Sequence, residues 1–189
     1  MELEQLRLDC AVKQKKGLHF IIASVFIWIA IAVVHFTELP ILAKDLLTFC
    51  FSAPLMPIAF AVSKIIGVDF SNKGNPLTKL GILFSVNQIV YLLIVMWVYP
   101  TVPDKMVMVL AIVFGAHLMP FGWLYKSRSY MTLSIIIPIA ALIVGINFNA
   151  FIVSAMMVLF EIAFCLLLFT EIRKLPDVKL SSNAPDQAL

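Results

Sequence analysis

The chain has 189 residues, of which 62% are hydrophobic and only 13% charged, and its formal net charge is +3. A soluble domain carries roughly 45–50% apolar and about 25% charged residues, so this apolar excess exceeds what one globule can bury and lipid must cover the rest. The basic residues lie between apolar runs rather than in one patch, which excludes nucleic acid as a partner. Cys10, Cys50 and Cys165 sit on separate segments with no metal-ligand spacing, and no Ser/His/Asp order, phosphate loop or zinc-hydrolase motif appears. No catalytic residue, metal or cofactor is therefore expected.

Residues 1–17 form a polar leader ending in Lys13-Gln14-Lys15-Lys16-Gly17. Leu3, Leu6 and Cys10 recur at helical spacing, which suits a short helix in the headgroup region; a flexible cytoplasmic leader is the alternative. Residues 18–37 are the first span, since about 20 apolar residues cross a hydrocarbon core of roughly 30 Å. Ala30-Ile31-Ala32 resembles a signal cleavage site, but the leader is long and acidic and the apolar run continues past it, so an uncleaved span is expected. Residues 46–66 form the second span. Pro54 and Pro57 would end a helix in water, whereas in a membrane a kinked helix is expected. Asn72-Lys73-Gly74-Asn75-Pro76 marks a turn in the loop 67–78. The third span, 80–99, carries Ser85, Asn87, Gln88 and Tyr91. The fourth, 105–125, carries His117 and a kink at Pro120, and runs into Trp123, Tyr125, Lys126 and Arg128, an aromatic and basic boundary. Residues 130–148, kinked at Pro138, and 151–170 are the fifth and sixth spans. A polar tail over 175–189 is expected to be disordered. The fold expected is all-α, a polytopic membrane bundle of six transmembrane helices within residues 18–174.

With six spans, twelve of the fourteen Lys and Arg residues fall on the side of the termini and only Lys44 and Lys105 on the other. The positive-inside rule then places both termini in the cytoplasm. Glu38, Lys44 and Asp45 cluster in the first outer loop and read as solvated. Ala53-Pro54-Leu55-Met56-Pro57 resembles Ala116-His117-Leu118-Met119-Pro120 at an offset of 63 residues. Either a parallel two-helix repeat or chance likeness between apolar helices accounts for this.

Counting residues from the span ends, at a rise of about 1.5 Å each, puts Glu161, His117, Asn87 and Gln88 within roughly 5 Å of one another in depth, near the bilayer middle. A charge there costs roughly 2.5–3.5 kcal/mol on insertion scales, so Glu161 must be neutralised or paired. His117 is the expected partner, with Asn87 or Gln88 closing the network. The layer reads either as a site for a proton or a small polar ligand, or as interhelical glue.

The run Ala116-His117-Leu118-Met119-Pro120 through Trp123-Leu124-Tyr125 to Ser127-Arg128-Ser129-Tyr130 resembles the signature of a family of small, uncharacterised bacterial multi-span membrane proteins. The likeness extends to Gln14-Lys15-Lys16-Gly17 and the first span. It implies a bacterial cytoplasmic membrane, draws attention to His117 and Tyr125, and implies no activity. The leading expectation is a small transporter or polar-ligand-binding protein with Glu161 as its protonatable group. A non-transporting scaffold or partner subunit is the alternative, a membrane-embedded enzyme a distant third. The bilayer is the expected partner, and a second copy or another membrane protein is left open.

Overall fold

The computed structural model describes residues 2–176; most of the tail expected to be disordered lies outside the described residues. These fold as helices without strands: α1 (Leu3–Lys13), α2 (Leu18–Phe36), α3 (Ile41–Ser52), α4 (Leu55–Ile65), α5 (Leu77–Thr101), α6 (Met106–His117), α7 (Met119–Leu124), α8 (Arg128–Asn147) and α9 (Ala150–Ile172), with 3-10 turns at Lys15–Gly17 and Pro103–Lys105. Five segments are long and apolar enough to cross a membrane, and α3 with α4, bent by 42°, brings the number to six where the pair is counted as one span. The second span thus starts at Ile41 rather than at residue 46 and comes in two pieces.

The prolines explain where spans break. Pro54 precedes α4, and Pro57 lies in its first turn; Pro120 lies in the first turn of α7. First-turn N–H groups have no intrahelical acceptor, so proline forfeits little there and favours a new start. Both Leu-Met-Pro segments therefore sit where a span restarts. Pro138 behaves differently: α8 runs through it without a break. Gly115 of α6 packs against that point, where an added Cβ would lie 2.7 Å from Ile137 Cγ2 and Pro138 Cδ. Further along the same antiparallel pair, a Cβ on Gly145 would lie 2.3 Å from Met108 Cγ. Close backbone approach between α6 and α8 thus depends on two glycines.

The second antiparallel pair is α2 with α9, joined near one end by Phe36 against Phe151 at 5.4 Å between centroids. Trp28, Ile31, Ala111, Phe114, Ile137, Met157 and Phe164 of α2, α6, α8 and α9 form the common core. α5 lies at the edge and buries only Val95 and Val98.

The leader is a packed helix, with Cys10 and Ala11 fully buried. The turn after α4 clasps it: Asn72 and Asn75 donate to Asp9 Oδ2 at 3.1 and 2.8 Å, and Asn75 also donates to the Leu6 carbonyl at 2.7 Å. Lys13 lies 2.8 Å from Asp9 Oδ1. Burial alone would raise the Asp9 carboxyl, but the hydrogen bonds from Lys13, Asn75 and Asn72 outweigh it and hold the group below its ordinary value of 3.8.

Two expectations follow. A carboxyl depressed on folding contributes stability above its ordinary range that disappears as pH falls through the folded value. Hydrogen exchange in α1 and residues 67–76 should therefore accelerate below about pH 4 in wild type, and Asp9→Asn should flatten that response. Gly115→Ala should destabilise the protein by about 1–3 kcal/mol through overpacking, read by unfolding in detergent, whereas Gly74→Ala, in open space, should not.

Candidate functional site

Glu161 stands at the midpoint of α9 and is fully buried. Its Oε2 is hydrogen-bonded to Ser24 Oγ of α2, and its Oε1 has no partner. Ser24 also reaches the Ile21 carbonyl, at 2.8 Å. A serine hydroxyl has one proton, so it cannot donate along both directions at once. Against a charged carboxylate the serine proton points to Glu161; were the carboxyl protonated, Glu161 would donate to Ser24 and Ser24 to Ile21.

The other residues of the expected layer are not drawn to Glu161 by hydrogen bonds. His117 ends α6, and its Nδ1 bonds the Phe114 carbonyl one turn back. Its ring sits among aromatics, 5.3 Å from Phe114 and 6.0 Å from Phe121. Gln88 is half-buried on the bundle side of α5, and Asn87 is exposed on the outer side. Ser24 takes the place expected for His117. It could have been suspected, because a serine inside an apolar run on the first span is a ready donor at that depth.

A second buried carboxyl was missed. Asp45, read from sequence as solvated, is 0% exposed on α3, and neither of its oxygens has a hydrogen-bond partner. His35 Nε2 of α2 lies 3.9 Å from Asp45 Oδ1 and 3.1 Å from Thr48 Oγ1. The correction has a plain cause: α3 begins five residues earlier than the hydropathy suggested, so Asp45 lies inside a helix packed on α2. Ser24 and His35 are eleven residues apart, close to three full turns, and so share one face of α2. That face meets Glu161 at mid-helix and Asp45 near the end away from the leader. His19, on another face of α2, is also buried; its Nδ1 has no partner and its ring packs against Phe70 at 5.4 Å.

A third cluster lies at the leader end. Glu171 accepts from Lys16 Nζ at 2.8 Å, Ser127 Oγ at 2.7 Å, and Ser129 N and Oγ at 2.9 and 2.7 Å. Lys16 also donates to the Lys126 carbonyl at 3.2 Å, and Tyr125 Oη donates to Gln14 Oε1 at 2.8 Å. Lys15, Lys16 and Gly17 all have left-handed backbones, with φ of 44°, 49° and 71°. Two non-glycine residues in that region store strain that surrounding contacts must hold. A side chain at Gly17 would meet Tyr130 Oη at 2.9 Å. Parts of the segments that carry the family resemblance, 14–17 and the end of 116–130, thus meet around one carboxylate. Glu171 follows directly on the apolar run of the sixth span, and its partners are too distant in the chain for spacing to reveal them.

Beside this cluster lies an open cleft of about 440 Å³, lined by Arg7, Gly122, Trp123, Lys126, Ser127, Arg128, Met131 and Thr132. Arg7 stacks over the Trp123 ring at 4.6 Å, and Glu4 neutralises part of the charge by pairing with Arg7 and Lys126. No group of three or more His, Cys, Asp or Glu side chains able to hold a metal ion occurs among the described residues.

Apolar spans, internal acids and an all-helical bundle define a multi-span membrane protein. Residues 3–171 match the model of a family of unknown function, DUF7010, so the chain belongs to that family. The match takes in both the leader helix and Glu171. No curated protein and no solved structure shows significant similarity.

Breaking a buried ion pair by removing one partner leaves the other charge uncompensated. Glu171→Ala should cost on the order of 2–4 kcal/mol, measured by denaturant unfolding in micelles, because Lys16 is almost wholly buried. Lys16→Met in the same background should recover part of that loss.

Proposed function

We propose that the chain is a small transporter or polar-ligand-binding protein of the bacterial cytoplasmic membrane, with Glu161 as the protonatable group of a mid-membrane site. The observation that carries this reading is the buried carboxyl at the centre of α9 with one oxygen unpartnered and the other on a serine relay. Ionisable groups inside membrane spans are costly and are retained mainly where they bind or move something. Asp45 with His35 supports the reading, because it sets a second acid along the same face of α2, towards the opposite end. Orientation with both termini in the cytoplasm is supported by the concentration of Lys and Arg at the leader end. The span breaks at residues 53–54 and at Leu118 supply joints at which the bundle can open. Asn87 is exposed on the outer side of α5, and His117 packs among Phe114 and Phe121, so neither is hydrogen-bonded to Glu161 in this conformation.

A scaffold reading is favoured by one observation: Glu161 is wholly enclosed in this conformation. In that case the Ser24–Glu161 bond only ties α2 to α9.

Water access separates the two. In protein lacking Cys10, Cys50 and Cys165, single cysteines at positions 24 and 161 should react with a small membrane-impermeant thiol reagent, from intact cells or inside-out vesicles. An outward position such as Ile139→Cys, facing lipid, should stay unlabelled. Absence of labelling at both 24 and 161 from either side, in folded protein, would establish the scaffold reading instead.

A further inference from the structure

α5 has 25 residues but buries only two of them. Its half-buried residues, Gly81, Phe84, Gln88 and Leu92 among them, fall on one side towards the bundle. The other side presents Leu83, Asn87, Val90, Ile94 and Trp97, all exposed, in steps of four, three, four and three. Four of these five are apolar and are satisfied by lipid alone. Asn87 is not. It lies near the middle of the span, and its amide has no hydrogen-bond partner among the described residues. Hydrocarbon offers none, and an amide left unpaired there is costly.

We infer that α5 is a self-association helix: two copies of the chain pair along the Leu83–Asn87–Val90–Ile94–Trp97 stripe, with the two Asn87 amides hydrogen-bonded to each other. Every copy in a membrane has the same orientation, so a two-fold axis along the membrane normal brings each residue near its own counterpart at equal depth. A primary amide is both donor and acceptor, and so is complementary to itself. An unrelated partner would need a polar group at that depth by coincidence; a second copy supplies one by symmetry. The four–three spacing is the seam of a left-handed helix pair, in which a lone Asn fixes register and partner number. This inference is independent of Glu161, which lies inside each copy.

Single cysteines in protein lacking Cys10, Cys50 and Cys165, oxidised in native membranes, test the stripe. Asn87→Cys, Val90→Cys and Ile94→Cys should form disulfide-linked dimers. Ile82→Cys and Ile89→Cys, equally exposed but turned by about 100° or more from the seam, should not. In detergent, Asn87→Leu should raise the dimer dissociation constant roughly three- to thirtyfold, the range of one or two interhelical hydrogen bonds. Asn87→Gln, which keeps the amide, should stay close to wild type. The Val90 and Ile94 variants leave Asn87 in place, so the crosslinking pattern remains decisive even if the leucine variant fails to fold. Crosslinking at equal yield all round α5, or single-step photobleaching showing monomers in the membrane, overturns the inference.

Discussion

The antiparallel pairing of α2 with α9 is the contact on which the rest of the bundle depends. In a bilayer the hydrophobic effect does little to bring helices together, since lipid tails are as apolar as leucine. Close packing and interhelical polar contacts must do it. This pair has both: Lys16 on Glu171 at the leader end, Ser24 on Glu161 at mid-depth, and Phe36 on Phe151 at the other end. Polar bonds at two depths fix the register, because sliding one helix along the other by a turn would break both the Lys16–Glu171 and the Ser24–Glu161 contacts. Ten of the residues of α2 are buried, more than a helix packed on one side would show, since α3 and α4 also lean on it.

The pair α6–α8 is built on the opposite principle. Glycines at 115 and 145 let the backbones approach, and no ion pair joins the two helices among the described residues. Pro138 sits inside α8 opposite Gly115, whose lack of a side chain leaves room for the proline ring and for Ile137. This is why the same residue type breaks a span at Pro54 and Pro120 yet is carried through at 138. Position within the helix decides: in a first turn proline costs little and marks a start, in an interior it needs a close neighbour.

The all-helical multi-span architecture and the leader's helical spacing were legible from composition and periodicity, because hydropathy is a local signal. Glu161 was legible for the same reason, being one acid in a long apolar run. Its partner was not. Depth counting gives height along the normal but no azimuth, so His117, Asn87 and Gln88 were grouped with Glu161, although no hydrogen bond joins any of them to it in this structure. Asp45 was misplaced by a boundary: hydropathy starts the second span at residue 46, whereas α3 starts at Ile41 behind Pro40. Glu171 was visible as a charge at a span end, but its role depends on Lys16, Ser127 and Ser129, which only folding brings together.

The polar groups within the spans therefore divide by direction. Glu161 and Asp45 face inward onto α2, where Ser24 partners one oxygen of Glu161 and His35 lies 3.9 Å from Asp45. Asn87 faces outward, where nothing in one copy of the chain can. An acid can meet burial by taking up a proton, and so tolerates a dry interior; an amide has no such recourse and must find a partner. The same depth in the membrane thus poses two different chemical problems. The inner one is met in part by Ser24 and by the option of a proton, and the outer one only by what lies beside the chain.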